Sequence, residues 1–342
     1  MTYQDLAASA RGQIGPFCRA CPTCDGRACA GVMPGPGDKG VGRVANRNWA
    51  AWQRRTVNMD TMHENFSADT RARALGRELS LPVMVGPVGD VQRHYGEKYD
   101  TADYNECVLT AASDFGTLAF TGDGLDASIM AEACEVVARL GGAGVPTVKP
   151  WDAATMSSKL DQALAARPAA VAMDIDAAGL PFLRGQQPPA GAMGAAQVAE
   201  VAARCHEAGV PFVLKGVTTA RAAERAADAG VDAIVVSNHG GRVLDGVPAT
   251  ADVLGGIADA VGDRVEVLVD GGVRSGLDVF RALALGARAC LVCRPFVVAA
   301  FGGGAEGVGS YLAQLRSELA DVMEMCGAAT TADVTRDMLW EA

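Results

Sequence analysis

The chain has 342 residues, 49% of them hydrophobic, and a formal net charge of −10. An acidic chain without a long basic stripe argues against nucleic acid as a partner, and the absence of a run of about 18 apolar residues argues against a membrane span. Residues 1–11 lack the basic start and apolar core of a secretory signal, so the expected compartment is the cytoplasm.

Residues 1–80 read as an N-terminal segment ahead of the periodic part of the chain. Four of the ten cysteines, Cys18, Cys21, Cys24 and Cys29, fall within twelve residues. The other six are scattered and read as small apolar residues in a reducing compartment. Thiolates this close suit a metal, and the spacing leaves both a [4Fe–4S] cluster and tetrahedral zinc open. The C-x2-C-x2-C run is ferredoxin-like, but no proline follows the fourth cysteine. A metal-free, redox-active loop is the alternative. Residues 35–42 form a turn-rich connector. Residues 46–55 and 68–79 are expected to be helices packed on the periodic part of the chain.

From residue 81 a period sets in: a short apolar strand, a polar or glycine-rich turn, then an alanine-rich helical pattern. The expected strands are 81–86, 116–121, 145–149, 169–174, 211–215, 233–237, 265–270 and 289–294. Helical stretches at 102–113, 128–140, 153–166, 195–207, 219–229, 250–260, 276–285 and within 307–326 alternate with them. Such alternation means parallel βαβ units. Eight of them in about 250 residues point to a (β/α)8 TIM barrel over residues 81–342, with the N-terminal extension packed on it. An open doubly wound sheet is the runner-up, disfavoured because no strand leads into G-x-G-x-x-G.

In a parallel barrel, ligands bind at the carboxyl ends of the strands. Thr121, Lys149, Asp174, Asp176, Lys215, Asn238, His239, Asp270 and Arg294 all fall there. The connection 177–194 is the longest at that face and suits a lid. Asp270-Gly271-Gly272-Val273-Arg274 and Cys293-Arg294 follow strands seven and eight, where glycine backbone and arginines suit a phosphate. Lys215 suits developing negative charge on a bound flavin or enolate. In Ser237-Asn238-His239-Gly240-Gly241-Arg242, the imidazole suits a general base and the guanidinium a carboxylate. Asp176 is placed to orient the imidazole.

At these residues the sequence resembles the FMN-dependent α-hydroxy-acid oxidase and dehydrogenase family, the group of glycolate oxidase, lactate oxidase and flavocytochrome b2. The resemblance runs from about residue 81 to 327. It rests on V-L-K-G at 213–216, S-N-H-G-G-R-V-L-D at 237–245, D-G-G-V-R-S-G at 270–276, A-L-A-L-G-A at 282–287 and R-P-F at 294–296. It implies a TIM barrel with FMN at its carboxyl face and a homo-oligomer, tetramer or octamer. It implies His239 as the base, Arg242 as the carboxylate anchor, Asp176 as the partner of the histidine and Lys215 beside the flavin. The FMN site would further include Pro87, Val88, Gly89, Thr121, Lys149, Asp174, Ser237, Asp270, Gly271, Gly272, Arg274, Cys293 and Arg294. The implied reaction oxidises a small α-hydroxy acid to an α-keto acid, with electrons passing to FMN and then to oxygen or another acceptor.

Departures from the family pattern cluster on the substrate side. Ala177-Ala178-Gly179-Leu180 stands where a second substrate arginine is usual, and Lys149-Pro150-Trp151 where a tyrosine is usual. Asp174 replaces a flavin-contacting threonine, and Cys293 a glycine. The substrate is therefore expected to differ, with Lys149 replacing one of the lost contacts. Competing readings are an isopentenyl-diphosphate-isomerase-like or NAD(P)H-dependent FMN enzyme, and a redox- or metal-sensing protein on a degenerate flavin barrel.

Overall fold

A computed structural model describes residues 1–340. Eight parallel strands, numbered in chain order, are Val83–Val85, Phe120–Thr121, Val145–Val148, Val171–Asp174, Phe212–Val217, Ala233–Val236, Glu266–Asp270 and Ala289–Val292. Strand eight pairs with strand one, Val292 opposite Val85, and a bridge from Val85 to Ala119 reaches the start of strand two. The sheet thereby closes on itself into the expected TIM barrel, and each strand overlaps the run expected from sequence.

The strand composition follows from this closure. Ala233 and Val235 face the lumen, while Ile234 and Val236 face the layer beneath the helices. A strand buried on both faces has no polar alternation to display. Met84, Phe120, Ala172, Val213, Leu268 and Leu291 fill the lumen with Val235. The barrel interior is therefore packed, and the candidate ligand space opens above the carboxyl ends of the strands.

Residues 68–79 differ from expectation. Ala72–Ala74 and Arg77–Leu79 form an antiparallel hairpin around Leu75 and Gly76, at φ of 51° and 70°. Two successive left-handed residues make a two-residue hairpin turn that no helix accommodates. The gain is burial: Ala74, Leu75 and Leu79 join the lumen cluster from below. The Leu75 N–H also donates to the Glu266 carboxylate at 2.8 Å.

The rest of the extension is bound to the barrel at several points. Helix Tyr3–Ala10, not foreseen from sequence, is capped by Thr2 and lies against the long helix Arg294–Met325, with Tyr3 and Tyr311 ring centroids 5.1 Å apart. Helix Val44–Gln53 forms as expected, and Thr56–Val57 pairs with Leu339–Trp340. The long helix begins directly after strand eight, earlier than expected, and is broken at Gly304. It is long and apolar enough to cross a membrane, but more than half of its most apolar window is buried in this fold, as in a core helix. The connection 177–194 is ordered by short turns at Ile175–Gly179 and Pro181–Leu183, with Leu180 and Leu183 buried.

Candidate active site

A cavity opens above the carboxyl ends of the strands. Its lining includes Pro87, Val88 and Gly89 from the first loop, Lys149, Asp174, Lys215, His239 and Arg242 from the middle strands, and Asp270, Gly271, Gly272, Arg274, Cys293 and Arg294 from the last two. Three residues expected at the site do not line it. Asp176 stands behind His239, Ser237 accepts the His239 backbone N–H on its Oγ at 3.1 Å, and Thr121 is buried with its hydroxyl unpartnered.

His239 sits in a turn with φ of 54°, a left-handed conformation costly for a residue with a Cβ. The Asn238 side chain stabilises the turn by accepting the Gly240 N–H at 3.2 Å. Asn238 also exchanges two 2.8 Å hydrogen bonds with Asn48 of the extension and donates to the Pro248 carbonyl at 3.0 Å. His239 Nδ1 lies 2.9 Å from Asp176 Oδ1. An ionised carboxylate only accepts, so Nδ1 is the donor of this pair and Nε2 is the ring nitrogen left facing the cavity. Nε2 has no protein partner among the described residues.

Arg242 lies beside His239 in the cavity wall. One guanidinium nitrogen donates to the Gly35 carbonyl, and another points to His94 Nε2 at 3.4 Å. Its charge faces the Phe182 ring at 6.0 Å. Burial, then Arg242, pushes the His94 imidazole down to about 3, so it is neutral and accepts from the arginine. His94 and Asn48 carry no local sequence signal for these roles, and sequence reasoning missed both.

The cavity floor holds a buried charge network. Lys215 Nζ donates to Asp174 Oδ1 at 2.9 Å and lies 3.5 Å from Asp270 Oδ2. Burial opposes the lysine's charge, but Asp174 and Asp270 outweigh it and hold its pKa well above the ordinary value. Burial likewise opposes ionisation of Asp174, yet Lys215 draws it down to about 2. Asp270 Oδ1 is buried without a partner. Lys149 is held through its ammonium by the Asp123 carbonyl, and the Asp123 carboxylate accepts from the Lys149 backbone at 3.0 Å and the Trp151 indole at 2.6 Å. Burial lowers the Lys149 pKa. Asp123 was not singled out from sequence; it also accepts from Lys159, which makes it the hub of this corner.

At the other end, Gly271 and Gly272 have φ of 89° and 87°. A Cβ on Gly272 would come within 2.4 Å of the Asn48 backbone, so only glycine allows helix Val44–Gln53 to close over this turn. Trp52 Nε1 donates to the Gly271 carbonyl at 2.8 Å. Arg274 donates from Nε to the Cys24 carbonyl at 2.7 Å, and Arg294 from Nη1 to the Pro36 carbonyl at 3.3 Å. Gly240 makes room for Arg294, whose Nη2 would stand 2.5 Å from a Cβ there. Burial, then Asp270, pushes the Cys293 thiol up to about 12, and its sulfur fills the space that a Cβ on Gly86 would need. Backbone glycines with two arginines at a cavity end form a site for a phosphate. A buried Lys–Asp floor beside them suits a polar ring system.

Solved structures share this architecture. Mandelate oxidase with 3,3-difluoro-2-hydroxy-3-phenylpropionic acid superposes with a TM-score of 0.77 at 28% identity, over 99% of this chain and 98% of that one. A mandelate oxidase variant with a C4a-OH-FMN adduct gives 0.79 at 27%, over 99% of both chains. A protein described as a putative lactate oxidase of Pediococcus acidilactici gives 0.80 at 27%, over 99% of this chain and 94% of that one. Among curated proteins, L-lactate oxidase of Roseobacter sp. (strain GAI101) is 50% identical over 130 residues, 38% of this chain and 35% of that protein. Peroxisomal (S)-2-hydroxyacid oxidase GLO3 of Arabidopsis thaliana is 46% identical over 128 residues, 37% of this chain and 35% of the relative. The chain thus spans about a third of the length of the curated relatives it matches. The family model for FMN-dependent dehydrogenases matches residues 36–187 and 184–341, so the chain belongs to the FMN-dependent dehydrogenase family.

Proposed function

We propose that this protein oxidises an α-hydroxy acid to the α-keto acid with FMN, His239 acting as base and Arg242 as carboxylate anchor. The observation that carries this reading is the convergence on one cavity of a His239–Asp176 pair, its Nε2 without a protein partner, and the half-buried guanidinium of Arg242.

The residues present fit FMN. Arg274 and Arg294, with the Gly271–Gly272 backbone, would hold its phosphate. Lys215, Asp270 and the Pro87–Gly89 backbone would hold its ring, and the unpartnered Asp270 Oδ1 gives a buried polar atom a partner it otherwise lacks. When bound, FMN supplies the two-electron acceptor.

The protein's own part is positioning and proton transfer. Arg242 retains N–H groups for a substrate carboxylate, which brings the α-carbon toward His239. Nε2 accepts a proton from the substrate, and Asp176 steadies the imidazolium formed. Leu180 and Phe182 line the same cavity and give the acid's side chain an apolar wall. Lys215 keeps positive charge at the floor where negative charge accumulates. Oxygen or another acceptor then takes the electrons. The N-terminal thiols belong to this reading as a metal site, iron–sulfur or zinc. Expected alongside are a homo-oligomer and a cytoplasmic location.

The test is the anaerobic absorbance of purified protein, titrated with L-lactate, glycolate and mandelate. Bleaching of the flavin by one of them, lost in His239→Gln with flavin still bound, is the expected result. Unchanged bleaching in that variant removes the role of His239. One observation favours a second reading: Ala177-Ala178-Gly179 stands where a second substrate arginine is usual in the family. Bleaching by NADH and by no hydroxy acid would move the assignment to an NAD(P)H-dependent FMN enzyme.

A further inference from the structure

Residues 11–43, between the first two helices, contain no helix and no strand, only an isolated bridge between Arg11 and Ile14. Irregular stretches longer than about 15 residues are uncommon in a compact fold unless something holds them. Most of this stretch precedes residue 36, where the family match begins, so the family does not account for it. Its four cysteines are all free and partly exposed. They are electrostatic neighbours: Cys24, Cys29 and Cys21 all act on Cys18, and Cys24 and Cys29 on Cys21.

The arginines at the phosphate end of the cavity lie against these thiols. Arg294 lies close to the Cys29 and Cys24 side chains. Arg274 donates to the Cys24 carbonyl at 2.7 Å, and Arg11 lies near Cys21. Arginine charge beside grouped sulfurs suits an anionic complex bound by them.

Spacing and geometry distinguish the candidate occupants. A zinc ion bound at about 2.3 Å by four sulfurs sets them about 3.8 Å apart. Among the described residues, no three of these thiols have sulfurs within 4.8 Å of one another. A [4Fe–4S] cube, whose four corners each take one sulfur, spaces its ligands more widely than a single zinc ion. The C-x2-C-x2-C run suits it as well, whereas zinc sites more often pair two separated knuckles.

Resting on the reading of the N-terminal thiols as a metal site, we propose that Cys18, Cys21, Cys24 and Cys29 bind one [4Fe–4S] cluster that also fixes Arg274 and Arg294 for the FMN phosphate. The cluster joins four points of an otherwise irregular segment, and that segment presents the Cys24 carbonyl and Cys29 sulfur to the two arginines. Loading the cluster and binding FMN tightly are thereby linked through two side chains.

Anaerobically purified full-length protein is assayed for iron, acid-labile sulfide and zinc. The expected content is about four irons and four sulfides per chain, with a paramagnetic signal appearing on dithionite reduction. Zinc without iron or sulfide overturns the cluster and leaves the metal reading standing; neither metal, or a disulfide in their place, overturns both. Cys21→Ser and Cys24→Ser are each expected to lose the iron. Removing the cluster from the unaltered protein with chelator and oxidant covers the case in which these variants do not fold. The dissociation constant of FMN, measured by flavin fluorescence, is expected to rise about tenfold on cluster loss, the worth of roughly one charge-assisted hydrogen bond. An unchanged constant refutes the link to the arginines. Flavin bleaching by a hydroxy acid is scored separately in iron-replete protein, so failure of the oxidation reading is distinguishable from failure of the cluster.

Discussion

The two ends of the cavity are built differently. The end with His239 and Lys215 is supported mainly from within the barrel. Asp176 and Asp174 follow or end strand four, Lys215 lies on strand five and Asp270 ends strand seven; Lys215 meets Asp174 from the adjacent strand, while Asp270 reaches Lys215, and Asp176 reaches His239, from two strands away. The end with Arg274 and Arg294 leans on the extension: the Cys24 and Pro36 carbonyls accept from the arginines, and Asn48 and Trp52 hold the adjoining turns. The difference separates tasks. Chemistry at the first end needs fixed geometry, which parallel strands supply. Binding at the second depends on a segment whose own order needs explaining.

The largest expected effect lies at the first end. His239→Gln is expected to slow flavin reduction by about 10²–10⁴-fold, the usual worth of a positioned base, with flavin content unchanged. Rapid-mixing reduction with the best hydroxy acid checks it, and loss of flavin from the variant would show that the two ends are not separable. Next is Lys215→Met. It leaves Asp174 and Asp270 facing each other in a buried floor without their cation, and breaking such a network costs about 3–5 kcal/mol. Denaturant unfolding of the variant reads this directly. A loss below about 1 kcal/mol would mean that water or a rearranged side chain reaches the floor.

The barrel end was the more legible of the two in the sequence. Apolar runs of four to six residues marked the strands because both faces are buried, and polar residues at their ends marked the site. Asp176 and His239, paired by their places at strand ends and by the family resemblance, lie 2.9 Å apart. The extension was less legible because its contacts are tertiary. The stretch A-R-A-L-G-R-E-L reads as a helix by composition, yet Leu75-Gly76 turns it into a hairpin; the leucine at positive φ has no local signature, and Gly76 was the only cue. Asn48 looked like one polar residue in a short helix, while its pairing with Asn238 lies 190 positions along the chain. His94 was invisible because its role depends on where Arg242 points.

Asn48→Ala tests the connection between the ends. The variant removes two buried 2.8 Å hydrogen bonds to Asn238 and leaves that amide partly unsatisfied beside the strained His239 turn. The expected cost is about 1–3 kcal/mol of stability. FMN affinity should fall with it, since the same residue packs on Gly271 and Gly272. A stable variant that binds FMN normally would make the extension a cover rather than a support.

The smallest effect per unit change concerns His94 and acid. Its imidazole is held at about 3 by burial and by Arg242, against an unfolded value of about 6.5. Between those values the unfolded chain takes up a proton that the folded chain refuses, so unfolding is favoured as pH falls. The stabilisation is complete above about 6.5, declines by at most about 1.4 kcal/mol per pH unit below it, and stops declining near 3. Asp174 adds its own decline only lower, from about 3.9 down to about 2. Urea unfolding at pH 7, 6, 5 and 4 should therefore show a slope that His94→Gln flattens, because glutamine accepts from Arg242 without titrating. An unflattened slope would place the acid sensitivity elsewhere and leave Arg242 held chiefly by the Gly35 carbonyl of the extension. The carboxylate anchor would then belong with the end of the cavity that depends on the N-terminal segment.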